Sequence, residues 1–156
     1  MWLLHSPWGY ETINRWNPDA HDVNRVFHDA SPSEEANELM SMVASLPTDS
    51  TIVAHIDLHE TTDTDETEFR PAKAARDGDA NSTPGEIPDG FYTVGDSLNP
   101  QPAFQTAVID AVRQVTHIAP PDAAGQIIGT PIEQEGVINY PVRVFNSLLS
   151  SSEALR

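Results

Sequence analysis

The feature that most constrains the fold is a run of β-branched and apolar residues at positions 51–58 (TIVAHIDL). Such a run, with polar residues on both sides, is typical of a buried β-strand. A helix is predicted just before it, over residues 31–46, with a capping box at 31–34 (SPSE) and a stop at Pro47. A strand remnant at 1–4, this helix and the strand at 51–58 follow one another with no hairpin turn between them, and this order favours an α/β fold with a mostly parallel (mixed) sheet and flanking helices.

Weaker patterns complete the predicted architecture. A second amphipathic helix is expected over residues 100–118, and the polar residues 59–90 form the longest predicted irregular region. Short strands are predicted at 1–4, 91–94, 127–128 and 137–138, while 142–145 fits a strand or a helix. The length of 156 residues suits one domain, and an apolar run at the first residue resembles a strand remnant. We therefore expect a single, partial domain over residues 1–156, truncated at both ends.

Composition excludes several classes of partner. The chain has 8 Lys and Arg against 24 Asp and Glu, a formal net charge of −16. This acidity argues against binding to nucleic acid or to an anionic membrane, since both require a basic face. The chain has no cysteine, so any metal must sit on histidine and carboxylate ligands. No segment resembles a membrane span or a signal peptide, and we expect a cytoplasmic protein.

Three chemically active side chains lie on the predicted strand at 51–58 or directly after it. Residues two apart share a face of a strand, so His55, Asp57 and His59 are expected to point the same way. Open α/β sheets place their sites at the carboxyl ends of strands, and zinc takes imidazole and carboxylate ligands. The same pattern also fits a structural histidine that is hydrogen-bonded to a neighbouring carboxylate.

A second polar group lies nearer the N-terminus and comprises Arg15, Asn17, Asn24 and Arg25. The planar guanidinium of arginine pairs with both oxygens of a carboxylate, and an adjacent Asn adds a neutral donor. Asn24 and Arg25 therefore suit the anionic end of a small substrate. The alternative is that these are surface arginines, each paired with one of the 24 acidic residues.

Taken in order, these motifs resemble the zinc carboxypeptidases of the M14 type, including the succinylglutamate desuccinylase and aspartoacylase branch. That family has an Asn-Pro turn after a strand, then Arg-x-Asn, Asp-x-Asn-Arg, a helix, and a strand that ends in Asp-Leu-His. The matching segments here are 6–9 (SPWG), 15–17 (RWN), 22–27 (DVNRVF) and 56–62 (IDLHETT). The resemblance covers about residues 3–63 and implies a zinc-carboxypeptidase-like fold.

The resemblance also implies an activity: a zinc-dependent metallocarboxypeptidase-like hydrolase. Its substrate would be a small peptide that loses its C-terminal amino acid, or an acyl-amino acid whose amide bond is cleaved. By this resemblance His59 is a zinc ligand, and Asn24 and Arg25 bind the terminal carboxylate of the substrate. Arg15 matches the arginine that stabilises the oxyanion as water adds to the scissile carbonyl.

The chain departs from the family pattern in three places. The family's first two zinc ligands lie on a His-x-x-Glu motif before the turn, and this chain has no such motif. Ser6 stands where the family usually has Asn. The catalytic glutamate of the family comes from a late strand, for which Glu133 and Glu135 are the candidates. The alternative function is therefore a non-catalytic, carboxylate-binding remnant of that fold without a complete metal site.

Overall fold

A computed structural model describes residues 6–61, 64–80 and 87–141. Contacts along the chain divide these residues into two compact units, residues 6–59 and residues 60–141. The strand predicted at 1–4 and the element predicted at 142–145 lie outside the described residues.

The first unit is built from three short helical elements. They are α1 (Pro7–Thr12), a 3₁₀ turn (Val23–Arg25) and α2 (Glu34–Ala44). The helix predicted over 31–46 is confirmed, but it begins later than the capping box suggested. Ser33 is the N-cap, because its Oγ accepts a hydrogen bond from the backbone N–H of Ala36 at 3.3 Å. Ser31 instead accepts a hydrogen bond from the N–H of Ser33 at 3.2 Å.

The prediction of a buried central strand at 51–58 is wrong. These residues have no regular secondary structure, and Val53 and Leu58 are 92% and 73% exposed. A β-branched run becomes a strand only when a neighbouring strand takes up its backbone N–H and C=O groups. No strand in the described part of the chain pairs with this segment.

The region predicted to be irregular, 59–90, contains a helix in the second unit. A π-helical segment, Asp65–Phe69, leads into α3 (Arg70–Asp77). Arg70 pairs with this acidic run: its Nε lies 2.7 Å from Asp65 and 3.0 Å from Glu66, and the pair with Glu66 has the i,i+4 spacing that supports a helix. No helix among the described residues is long and apolar enough to cross a membrane.

The second unit also contains a small parallel sheet. Strand β1 (Thr93–Asp96) pairs with β4 (Val137–Tyr140) in parallel, with Thr93 opposite Val137. Between them lie α4 (Pro102–Val112) and an antiparallel hairpin of β2 (Gln126–Ile127) and β3 (Thr130–Pro131). The α/β class and the short strands predicted near 91–94, 127–128 and 137–138 are thus confirmed, and the helix predicted over 100–118 is confirmed over a shorter span.

Two small apolar clusters hold this unit together. Val137 packs with Ile109 of α4 and with Ile118, whereas its neighbour Ile138 packs with Ala119 and Ile127. Successive residues of a strand point to opposite faces, so β4 is buried on both sides. A strand that is buried on both faces has consecutive apolar residues, and Val137 and Ile138 form such a pair.

Candidate functional site

In the first unit, Arg15 directly precedes a narrow turn formed by residues 16–22. Trp16 and Asp22 form an isolated antiparallel bridge, and the N–H of Asn17 donates to the C=O of His21 at 3.0 Å. Arg15 Nε donates to Asp22 Oδ2 at 2.9 Å. Asp22 is buried, while 33% of the Arg15 side chain is exposed. The ion pair therefore fixes the arginine and leaves part of its side chain in contact with solvent.

Asn24 and Arg25 lie on the 3₁₀ turn that begins where the narrow turn ends. Asp22 is the N-cap of this 3₁₀ turn, and Val23 anchors it in the interior at 3% exposure. Asn24 and Arg25 are partly buried, and Arg25 Nη1 donates to the C=O of Asn24 at 3.5 Å. The local fold thus places a neutral donor and a cationic donor on one short turn.

His59 is paired with Asp57. Its Nε2 lies 2.9 Å from Asp57 Oδ2, and 53% of the imidazole side chain is exposed. The hydrogen bond with Asp57 raises the pKa of His59, while burial and the positive charges of Arg25 and Arg15 lower it; the net shift is upward. His55 is exposed, and the expected strand face that joins it to Asp57 and His59 does not form.

The Asp57–His59 pair has the arrangement of a metal ligand and its supporting carboxylate. A ligating histidine usually has its second ring nitrogen bonded to such a carboxylate, which fixes the ring and the tautomer. Within residues 6–61, 64–80 and 87–141, however, no group of three His, Asp or Glu side chains is placed to hold a metal ion. Asp57 orients the ring of His59, whereas a catalytic zinc normally takes three ligands from the protein.

Both candidates for the catalytic glutamate belong to the second unit. Glu135 accepts hydrogen bonds from both Nη atoms of Arg113, at 2.9 and 3.0 Å, and this pairing lowers the pKa of Glu135. A general base works best with a pKa near the working pH, and the pairing with Arg113 moves the pKa of Glu135 away from that range; its catalytic role stays a prediction. Glu133 is exposed, with its N–H donating to the C=O of Val137 at 2.9 Å, and its catalytic role stays a prediction.

Asn17 has a different role from the one its sequence neighbours suggested. Its side chain is buried, and its amide is used within the protein. Oδ1 accepts from the N–H groups of Asp19 and His21, and Nδ2 donates to Glu35 Oε2. The Asn-Pro-Asp turn signal at 17–19 was visible in the sequence, whereas the contact with Glu35, 18 positions away, was not.

No protein-family model matches this chain, and no curated protein matches it either. The resemblance to zinc carboxypeptidases therefore rests on the ordered motifs between residues 6 and 62. The four residues that carry it in the site, Arg15, Asn24, Arg25 and His59, all belong to the first unit.

Proposed function

We propose that the first unit carries the substrate-binding part of a zinc-carboxypeptidase-like hydrolase. Its substrate is a small molecule with a free carboxylate, either a peptide C-terminus or an N-acyl amino acid. The observation that most directly supports this is that Asn24 and Arg25 lie together, partly buried, on one 3₁₀ turn that begins next to Asp22, the residue that holds Arg15 at 2.9 Å. In a chain of net charge −16, a local group of cations is the place where an anionic ligand is attracted.

Each side chain has one task in this proposal. Asn24 and Arg25 bind the terminal carboxylate, because a charged and a neutral donor together match its two oxygens. Arg15, held by Asp22 at 2.9 Å, stabilises the negative charge that develops on the scissile carbonyl oxygen. His59 is the zinc ligand that Asp57 orients, and zinc bound there would polarise the carbonyl and lower the pKa of a water towards 7.

A second function, carboxylate binding without catalysis, is favoured by the protonation of His59. The hydrogen bond with Asp57 raises the pKa of His59 and so favours the imidazolium form. An imidazolium attracts carboxylates, whereas zinc binds the neutral ring. In this function Arg15, Arg25 and His59 act together as a cationic site for an anionic ligand.

Zinc stoichiometry and hydrolysis separate the two functions. The purified chain and its H59A variant are dialysed against buffered zinc, the bound metal is counted, and release of phenylalanine from benzoyl-glycyl-phenylalanine is measured. H28A is the matched control, because His28 is an exposed histidine of the same unit.

One equivalent of zinc that is lost in H59A but kept in H28A, together with hydrolysis, is the result expected for the hydrolase. Binding of hippurate without zinc and without hydrolysis would favour the second function. If the chain binds neither zinc nor hippurate, both functions are contradicted.

A further inference from the structure

Asn17 is a buried polar side chain to which the proposed site gives no task. Only 5% of it is exposed. Its Oδ1 accepts hydrogen bonds from the N–H of Asp19 at 3.1 Å and from the N–H of His21 at 2.9 Å. Its Nδ2 donates to Glu35 Oε2 at 2.9 Å. One carboxamide therefore closes the turn after Arg15 and also ties it to the first turn of α2, which requires an acceptor and a donor on the same short side chain.

Glu35 is itself held in place for this contact. Ser33 Oγ donates to the same Oε2 atom at 2.6 Å, and Ser33 is the fully buried N-cap of α2. Burial opposes ionisation of Glu35, but hydrogen bonds from Ser33 and Asn17 outweigh it and lower the pKa of Glu35. The carboxylate also lies in the first turn of a helix, where the helix dipole favours negative charge. Asn17 thus donates to a charged and fixed acceptor.

We propose that this Asn17–Glu35 clamp positions Arg15 and the Asn24–Arg25 turn for carboxylate binding. The contacts form a short series. Asn17 closes the turn, the closed turn brings Asp22 within 2.9 Å of Arg15 Nε, and the backbone C=O of Asp22 accepts a hydrogen bond from the N–H of Arg25 at 2.9 Å. Asn17 and Glu35 act through other residues, so they are positioning residues. The choice of a carboxylate as the ligand rests on the proposed function, whereas the positioning of Arg15 by the clamp is independent of it.

A charge swap tests the clamp. The substitution N17D keeps an oxygen that accepts from the N–H groups of Asp19 and His21, but it sets a second carboxylate against Glu35. The double variant N17D/E35Q restores one donor and one acceptor with their positions exchanged. E35A is a second way to remove the contact, and it leaves the hydrogen bonds of Asn17 within its own turn unchanged, so it remains informative should N17D not fold.

Two measurements are made on the full chain. The first is the hydrogen-exchange rate of the Arg15 Nε–H by NMR, which reports the bond to Asp22 without any ligand, with the Arg70 Nε–H of the second unit as internal control. The second is the Kd for hippurate. Hydrogen bonds to charged groups are strong enough that N17D and E35A should each change both quantities roughly tenfold. N17D/E35Q should return both to within about twofold of the original chain.

The outcomes separate this inference from the proposed function. If folded N17D or folded E35A leaves the Arg15 Nε–H exchange unchanged, the clamp does not position Arg15 and the inference is overturned. If N17D/E35Q rescues the exchange but no variant, including the original chain, binds hippurate, the placement of Arg15 stands and the proposed function fails. If the single variants change both the Arg15 Nε–H exchange rate and the Kd for hippurate, and N17D/E35Q restores neither, the inference is also overturned. The changes then reflect general disruption of the turn.

Discussion

The two units of this chain are stabilised in different ways. Among the described residues, most buried apolar side chains belong to the second unit, where they pack on a parallel pair of strands; they are Ile109, Ile118, Ala119, Ile127, Val137 and Ile138. The first unit buries Val23 and Ala36, and around them it buries polar side chains that hydrogen-bond one another or the backbone: Asn17, Asp22, Ser31 and Ser33.

The difference matters for the placement of the site. Apolar packing is non-directional but close-packed, so it is sensitive to added volume, whereas a buried hydrogen bond fixes an angle and a distance. Arg15, Asn24 and Arg25 all lie in the unit that is organised by hydrogen bonds. We therefore expect steric changes to have the largest effects in the second unit, and loss of single polar groups to disturb the first.

The largest effect is expected at Gly136 in the second unit. Its φ is +69°, and a Cβ there would contact Ile118 Cγ2 and lie 2.9 Å from Ile109 Cδ1. G136A thus combines left-handed backbone strain with overpacking, for a loss of about 3 kcal/mol in the free energy of unfolding. Gly125 has a similar φ of +75° with no atom within 4 Å of its Cβ position, so G125A should cost about 1 kcal/mol. Urea denaturation measures the free energy of unfolding of both variants. Equal losses in G136A and G125A would show that the contacts of the added Cβ with Ile118 and Ile109 cost nothing.

In the first unit, the Ser33 cap is the polar group whose loss should be most costly. Ser33 Oγ accepts from the N–H of Ala36 and donates to Glu35. We expect S33A to lower the free energy of unfolding of this unit by about 1.5 kcal/mol, as a lost N-cap does elsewhere. The control is S41A, at an exposed position of the same helix, where little change is expected. A loss in S41A as large as in S33A would contradict the assignment of the cap.

The strand at 137–138, the segment at 51–58 and the helix cap at 31–33 show where the sequence is informative and where it is not. The apolar pair Val137–Ile138 predicted a strand, and the strand forms because β1 lies beside it. The stronger pattern at 51–58 failed, because strand formation depends on a partner that local sequence does not specify. Ser31 and Ser33 are both competent caps, and the choice between them is made by the contact of Ser33 with Glu35.

In the candidate site too, the sequence indicates contacts between near neighbours but not contacts between distant residues. The adjacency of Asn24 and Arg25 and the proximity of Asp57 to His59 follow from short sequence separations. The pairing of Arg15 with Asp22 depends on a closed turn, and that of Asn17 with Glu35 on the packing of this turn against α2. Such contacts join distant residues and leave no periodic signal.

A smaller, stabilising effect is expected at Ile13, the C-cap residue that follows α1. Ile13 has φ +50°, an unfavourable conformation for a β-branched residue, and its side chain is 71% exposed. I13N should raise the free energy of unfolding by about 0.7 kcal/mol, because Asn tolerates the left-handed region and little burial is lost. I56N, at an exposed position with no positive φ, should bring no gain. Thermal unfolding compares the stability of the two variants directly. If I13N is no more stable than the original chain, the left-handed backbone of Ile13 is not strained.

The smallest effect on stability is expected from the Asp57–His59 pair, which is partly exposed. Because the pKa of His59 is raised in the folded chain, its contribution to stability is complete below the ordinary histidine pKa, about 6.5, and is lost as the pH rises through the raised value. Histidine titration by NMR should show D57N lowering the pKa of His59, with D49N as an exposed control that leaves it unchanged. An unchanged titration in D57N would contradict the pairing.

We propose that the turn carrying Asn24 and Arg25 binds the free carboxylate of a small substrate, and the affinity of the chain for a single carboxylate tests this most directly. Calorimetric titration with hippurate compares the original chain with R25Q and with R76Q, which removes an exposed arginine of the second unit. We expect R25Q to weaken binding roughly tenfold or more, since charge-assisted pairs are strong, and R76Q to leave it unchanged. Equal affinities for R25Q and the original chain would contradict it.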